Sequence, residues 1–108
     1  MLMSGLDEYQ KQAMRTHVPD PIRLPCYALG LAGEAGEVAD LINKHLGHGL
    51  DLDLEKVREE LGDVLWYVAG LAQVLGLTLS EIAHENINKL ERRYPEGFSH
   101  EASRNRSE

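Results

Sequence analysis

Four stretches of the chain repeat their apolar residues with a period near 3.6, and Pro or Gly separates each stretch from the next. That pattern admits packed helices. It excludes a sheet, because no segment alternates apolar and polar residues as a half-buried strand does. Ser4 opens the first stretch, with Asp7 as a capping acid, and this helix is expected to run to about His17. Pro19 and Pro21 make Val18–Leu24 a connector. Pro25 suits the first turn of a second helix, expected to reach Leu46 and to stop at Gly47. His48–Asp53 reads as a short loop, with Asp51 or Asp53 as the next N-cap. A third helix is expected over about Leu54–Leu75, before Gly76. Thr78 and Glu81 form the capping box of a fourth, ending near Arg93 ahead of Tyr94-Pro95. From about Ser99 the chain is polar and aperiodic, so residues 99–108 are expected to form a disordered tail. The 108 residues make one domain, expected to be all-α. So small a domain buries only a modest part of its surface and often completes its core by association.

The net charge of −7 argues against non-specific nucleic-acid binding, which needs a basic stripe. It does not argue against a nucleotide, since a metal ion can bridge an acidic protein and an acidic ligand. The single cysteine, Cys26, has no partner for an internal disulfide and is expected to be a small buried hydrophobe. No apolar run approaches about 18 residues, so no membrane span or signal segment is expected, and the protein is expected to be cytoplasmic.

Helical wheels bring out the chemistry. With Glu34 set at zero on helix two, Glu37 falls at about 300° and Leu41, Val38, Leu31 and Ile42 fill the arc between them and about 80°. With Glu60 at zero on helix three, Asp63 falls at about 300°, and Tyr67, Leu71, Val64, Val57 and Val68 fill the same arc. Each helix carries an acid pair on the shoulder of its apolar stripe. Acids three residues apart repel each other, and acids half-turned into a core lose solvation. Singly, such pairs are commonplace on solvated helices. Two of them facing each other across a short loop need a cation, and oxygen ligands select Mg²⁺, with Mn²⁺ as a substitute. On helix four, Asn86, Lys89 and Arg93 border the apolar stripe in the same way and can donate to anionic oxygens. A helix C-terminus enriched in cations accounts for Arg92 and Arg93 as well, but less for Asn86 and Lys89.

The far side of helix three is not polar. It carries Ala69, Gly62, Gln73, Trp66 and Gly70, with Glu59 as its one charge. Two glycines flanking Trp66 suggest that another helix approaches there, so a homodimer or homotetramer with helix three central is expected. Stacking of Trp66 on a nucleotide base is the rival reading.

The run Gly30-Leu31-Ala32-Gly33-Glu34-Ala35-Gly36-Glu37-Val38 resembles the first motif of the MazG-like nucleotide pyrophosphohydrolases. Glu59-Glu60-Leu61-Gly62-Asp63-Val64-Leu65-Trp66-Tyr67 resembles their second, and Asn86-Ile87-Asn88-Lys89-Leu90 with Arg93-Tyr94-Pro95-Glu96-Gly97-Phe98 their closing segment. The family's leading acid is absent, because Gly33 precedes Glu34. The resemblance implies a four-helix MazG-like bundle completed by oligomerisation. It also implies Mg²⁺ held by Glu34, Glu37, Glu60 and Asp63, and conversion of a nucleoside triphosphate to monophosphate and pyrophosphate. Glu60 and Glu37 are the expected catalytic residues, Glu37 as the base. Asn86, Lys89 and Arg93 are expected to hold the leaving pyrophosphate, and Tyr67 and Trp66 to meet sugar or base. Tyr67 is equally well read as a residue at the edge of the core. Phosphoribosyl-ATP pyrophosphohydrolase is the close alternative, and a non-catalytic helical interaction module the distant one. Di-iron chemistry needs inward Glu-x-x-His motifs. Glu81-Ile82-Ala83-His84 is the sole such motif and faces away from the apolar stripe.

Overall fold

The computed structural model describes residues 5–18, 20, 22–48 and 51–105. They form α1 (Leu6–Ala13), a single 3₁₀ turn (Met14–Thr16), α2 (Arg23–His48), α3 (Leu54–Leu75), α4 (Leu79–Arg93) and α5 (His100–Arg104). There is no strand among the described residues, only an isolated bridge between Pro95 and Gly97. The class is all-α. No single helix among the described residues is long and apolar enough to cross a membrane.

Most helix ends follow from local chemistry. Asp53 caps α3 by accepting from the Lys56 amide at 3.1 Å. Gly76 closes α3 in a left-handed conformation, φ 74°, which lets its amide reach the last carbonyls. The capping box at Thr78 and Glu81 forms, with the Thr78 amide 2.6 Å from Glu81 Oε1. Other ends depart from expectation. α2 begins at Arg23 rather than Pro25, because Asp20 starts the turn: its carbonyl accepts from Arg23 and its carboxylate from Ile22. Gly47 does not stop α2, which runs on to His48. The stretch beyond Ser99 is not wholly irregular. Ser99 caps the short α5, and the rings of Tyr94, Phe98 and His100 stack in series before it. Ser4, Pro19, Pro21 and residues 106–108 lie outside the described residues. Cys26 is exposed, not buried. On the α2 wheel it falls at about 280°, outside the apolar arc.

α2 and α3 pack as an antiparallel pair and carry most of the tertiary contact. α4 leaves α3 at 103° and packs against α1 instead. The reason lies in α1. Gln10 is buried and makes three hydrogen bonds: to Gln73 Oε1, to the Leu77 carbonyl, and from the Leu79 amide at 2.7 Å. Asp7 does not cap its own helix; its carboxylate accepts from the Ser80 amide at 3.0 Å and the Ser80 hydroxyl at 2.7 Å. The first turn of α4 has amides with no partner inside the helix, and α1 satisfies two of them.

The buried centre is Ala69, Ala72 and Leu79, with Tyr9, Met14 and Val68 around it. The buried stretch of α3 is therefore its small residues Ala69, Gly70 and Ala72, and much of its cover is the chain's own N-terminal segment. Trp66 donates from Nε1 to Thr16 Oγ1 at 2.9 Å and to the Ala13 carbonyl at 3.3 Å. Gly70 admits the ring of Tyr27 from α2. α1 and the 3₁₀ turn thus cover the part of this face around Trp66, Ala69 and Gly70. Glu59, Gly62 and Gln73 of the same face are exposed, and a methyl group at Gly62 would meet open space.

These environments predict opposite signs for one substitution. A methyl group at Gly62 meets open space, so Gly62→Ala should raise stability by about 1 kcal/mol through helix propensity. A methyl group at Gly70 would stand 3.0 Å from Tyr27, whose hydroxyl is fixed by His17 and whose ring lies against Trp66 and Tyr67. Gly70→Ala should therefore lower the Tm despite the same propensity gain, in parallel thermal melts.

Candidate active site

The α2–α3 pair is held in register by close contacts next to the acids. Tyr67, one turn after Asp63, lays its ring on the backbone of Gly30, one turn before Glu34. Any side chain at residue 30 would overlap that ring. Tyr27, Trp66 and Tyr67 meet edge to face, with centroids 5.2 to 6.1 Å apart. Tyr67 thus packs at the edge of the core, and Trp66 is hydrogen-bonded from within the chain; both remain partly exposed.

Beside this lock, Glu34 from α2 and Glu60 and Asp63 from α3 bring carboxylate oxygens within 4.8 Å of one another. Glu60 is buried at 8% exposure, whereas Asp63 is exposed. The Glu34 carboxyl is pushed above the usual carboxylate range, first by a hydrogen bond shared with Glu60, then by lost solvation and the charges of Asp63, Glu60 and Glu37. Asp63 also helps to raise the Tyr9 hydroxyl, after burial. Lys56 reaches Glu60 Oε1 at 3.1 Å and Glu59 at 3.9 Å. It was not singled out in the sequence, where a first-turn lysine looks like solvated surface; the signal was its place four residues before Glu60.

Three of the four expected metal ligands therefore converge, and the fourth does not. Glu37 is exposed and outside the set. Its charge still reaches Glu34, Lys44 and Lys56. Hard oxygen donors from two helices, one of them a buried carboxylate, fit Mg²⁺ or Mn²⁺. The set holds no histidine, and Glu81 and His84 are exposed on α4, so the donors do not fit a di-iron centre.

The α4 residues stand elsewhere. Asn86 and Lys89 line a shallow cleft of about 330 Å³ with Ile82, Glu85 and Arg92. Arg93 is half-buried at the end of the helix. With α4 turned 103° from α3, helix rise alone puts the Asp63 and Lys89 backbones on the order of 20 Å apart. That is farther than a lysine side chain extends, so one chain does not bring these donors to its own carboxylates.

The sequence matches the model of the MazG nucleotide pyrophosphohydrolase domain over residues 25–98. It is 40% identical over 82 residues to the Gene 37 protein of Mycobacterium phage L5, covering 72% of each chain. No solved structure gives a significant match. The matched region spans the aromatic lock, all three converging carboxylates and the whole of α4, and the chain belongs to the MazG nucleotide pyrophosphohydrolase domain family.

Proposed function

We propose that this protein hydrolyses a nucleoside triphosphate or deoxynucleoside triphosphate to the monophosphate and pyrophosphate, by water attack at the α-phosphorus, with Mg²⁺ held by Glu34, Glu60 and Asp63. The observation that carries the reading is the convergence of those three carboxylates in a chain of this family. Bound there, the divalent ion supplies charge neutralisation for the phosphates and a Lewis acid beside the attacking water. Glu34, Glu60 and Asp63 fix the site from two helices whose register is locked, so the triphosphate meets a preorganised set of ligands. Glu37 stands one turn outside the ligand set and so is available to take the proton of the attacking water. The new bond joins water oxygen to the α-phosphorus, the bond to the β-phosphate oxygen breaks, and the electron pair leaves with pyrophosphate. Asn86, Lys89 and Arg93 hold that leaving group.

Because α4 lies far from its own carboxylates, we propose that it acts on the site of a second copy in a symmetric dimer or tetramer. What supports this is unfinished burial. Leu29, Leu46, Leu61, Ile87 and Phe98 are each at least 51% exposed, apolar surface that a second copy would cover. Phosphoribosyl-ATP is the alternative substrate, and a substrate panel separates the two.

Glu60→Gln should abolish turnover with little loss of fold, while wild-type protein in ¹⁸O-water places the label on the monophosphate. Orthophosphate release would refute α-attack, and normal turnover by Glu60→Gln at saturating Mg²⁺ would refute the proposed metal site.

Metal should also stabilise the fold in a pH-dependent way. Glu34 binds its proton more tightly folded than unfolded, so metal-free stability falls as pH rises from the ordinary carboxylate value through the raised one. Mg²⁺ relieves the repulsion, and its Tm increment should be larger near pH 7.5 than near pH 5.

Mixing Glu60→Gln with Lys89→Gln, each inactive alone, should restore activity if α4 acts across the interface. Two variants that stay inactive on mixing, with the wild type a monomer in light scattering, would reject the shared site.

A further inference from the structure

We propose that Lys56 is the resident counter-cation of the acid cluster, bound to Glu60 when metal is absent and displaced from it when a divalent ion binds. This inference rests on the metal-site reading above and deepens it.

The placement of Lys56 is unusual for its helix. It lies in the first turn of α3, where the helix dipole favours acids and disfavours cations. An exposed lysine there gains little from an ordinary surface pair. Here its partner is not an ordinary surface acid. Lys56 Nζ lies 3.1 Å from Glu60 Oε1, and Glu60 is the buried member of the three converging carboxylates. The field on the lysine comes from both walls of the site. Its charged form is favoured by the hydrogen bond to Glu60, by Glu59 and Glu60 on α3, and by Glu37 across on α2.

One positive charge therefore stands in for part of what a metal ion supplies. It stands against the buried Glu60, beside Glu34 and Asp63, before metal arrives. The Glu60 carboxylate has few lone-pair directions open at 8% exposure, and the lysine takes one oxygen. A divalent ion bound among the three acids has to draw on the same carboxylate, and it repels a cation held within hydrogen-bond distance. Lys56 has somewhere to go. Its side chain is 46% exposed, and Glu59 is already 3.9 Å from its ammonium. The expected result is competition: the lysine lowers divalent-ion affinity and keeps the metal-free site from repelling itself apart. Lys44, paired with Asp40 at 2.9 Å on α2, is the control, because it also feels Glu37 but lies outside the cluster.

The test is Mn²⁺ binding by electron paramagnetic resonance on folded, full-length protein, with no nucleotide present. Lys56→Gln should bind Mn²⁺ about 5-fold tighter or more, the worth of one displaced ion pair, and melt lower without metal. Lys44→Gln should stay within about 2-fold of wild type, as a distant screened charge does. Wild-type protein with ¹³C-dimethylated lysines supplies a measurement free of mutation: Mg²⁺ should move the Lys56 resonance toward that of a solvated lysine. Unchanged or weaker Mn²⁺ binding by Lys56→Gln, or a Lys56 resonance unmoved by saturating Mg²⁺, overturns the proposal and leaves the metal site standing. Absence of Mn²⁺ binding by the wild type and every variant overturns the metal site itself, and this proposal with it.

Discussion

The contact of the Tyr67 ring with the bare backbone of Gly30 fixes how α2 lies on α3, and the rest of the site depends on it. Three carboxylates drive their helices apart unless something nearby holds them. Here the holding contact lies one turn from Asp63 on one helix and one turn from Glu34 on the other. Tyr27, pinned by His17 and packed on Gly70, repeats the device further along the same pair. Apolar area and ring packing near the acids thus oppose a repulsion that falls off with distance, and the close approach that favours the rings also brings the carboxylates within 4.8 Å. Packing and chemistry are not separable layers in this protein. Moving one helix along the other would cost ring contact and spread the ligands at once.

Charge management follows from that constraint. Glu60 is buried among other acids, and a buried carboxylate needs a proton, a hydrogen-bond donor or a cation. Glu34 shares a hydrogen bond with it and Lys56 supplies a cation. Outside the cluster the acids are tolerated differently. Asp40 has Lys44, and Glu37 reaches solvent while still adding to the field.

Much of this was legible in the sequence because it depends on local period and short-range caps. The spacing of Val57, Val64, Val68 and Leu71 gave α3 its length, and Gly76, Thr78 and Glu81 marked where it ends and α4 begins. The shared shoulder of the acid pairs foretold the meeting of Glu34, Glu60 and Asp63. What was not legible was whatever depends on contacts between distant residues. Asp7 read as a capping acid of its own helix and Gln10 carried no signal, yet they bond to Ser80 and Leu79, about seventy positions away. The small face of α3 was seen as covered, but not that α1 and the 3₁₀ turn supply the cover around Trp66 and Ala69, because periodicity reports that a face is covered and not by what. Glu37 shows a finer limit: a wheel places a side chain on an arc, but not which acids on that arc meet across two helices. Cys26 stands just outside the same arc and is exposed.

The clamp of α1 on α4 lies largely outside the region shared with the family, which begins at residue 25. The residues that supply chemistry are thus inherited in common, while the residues that aim α4 belong to this chain's own leading segment. Asp7 and Gln10 act as a bracket, setting the direction in which Asn86, Lys89 and Arg93 are carried. Related chains with a different leading segment can keep every acid and every cation yet point the last helix elsewhere. Diversity of assembly in such a family can then arise from a handful of N-terminal residues, with no change among the converging carboxylates.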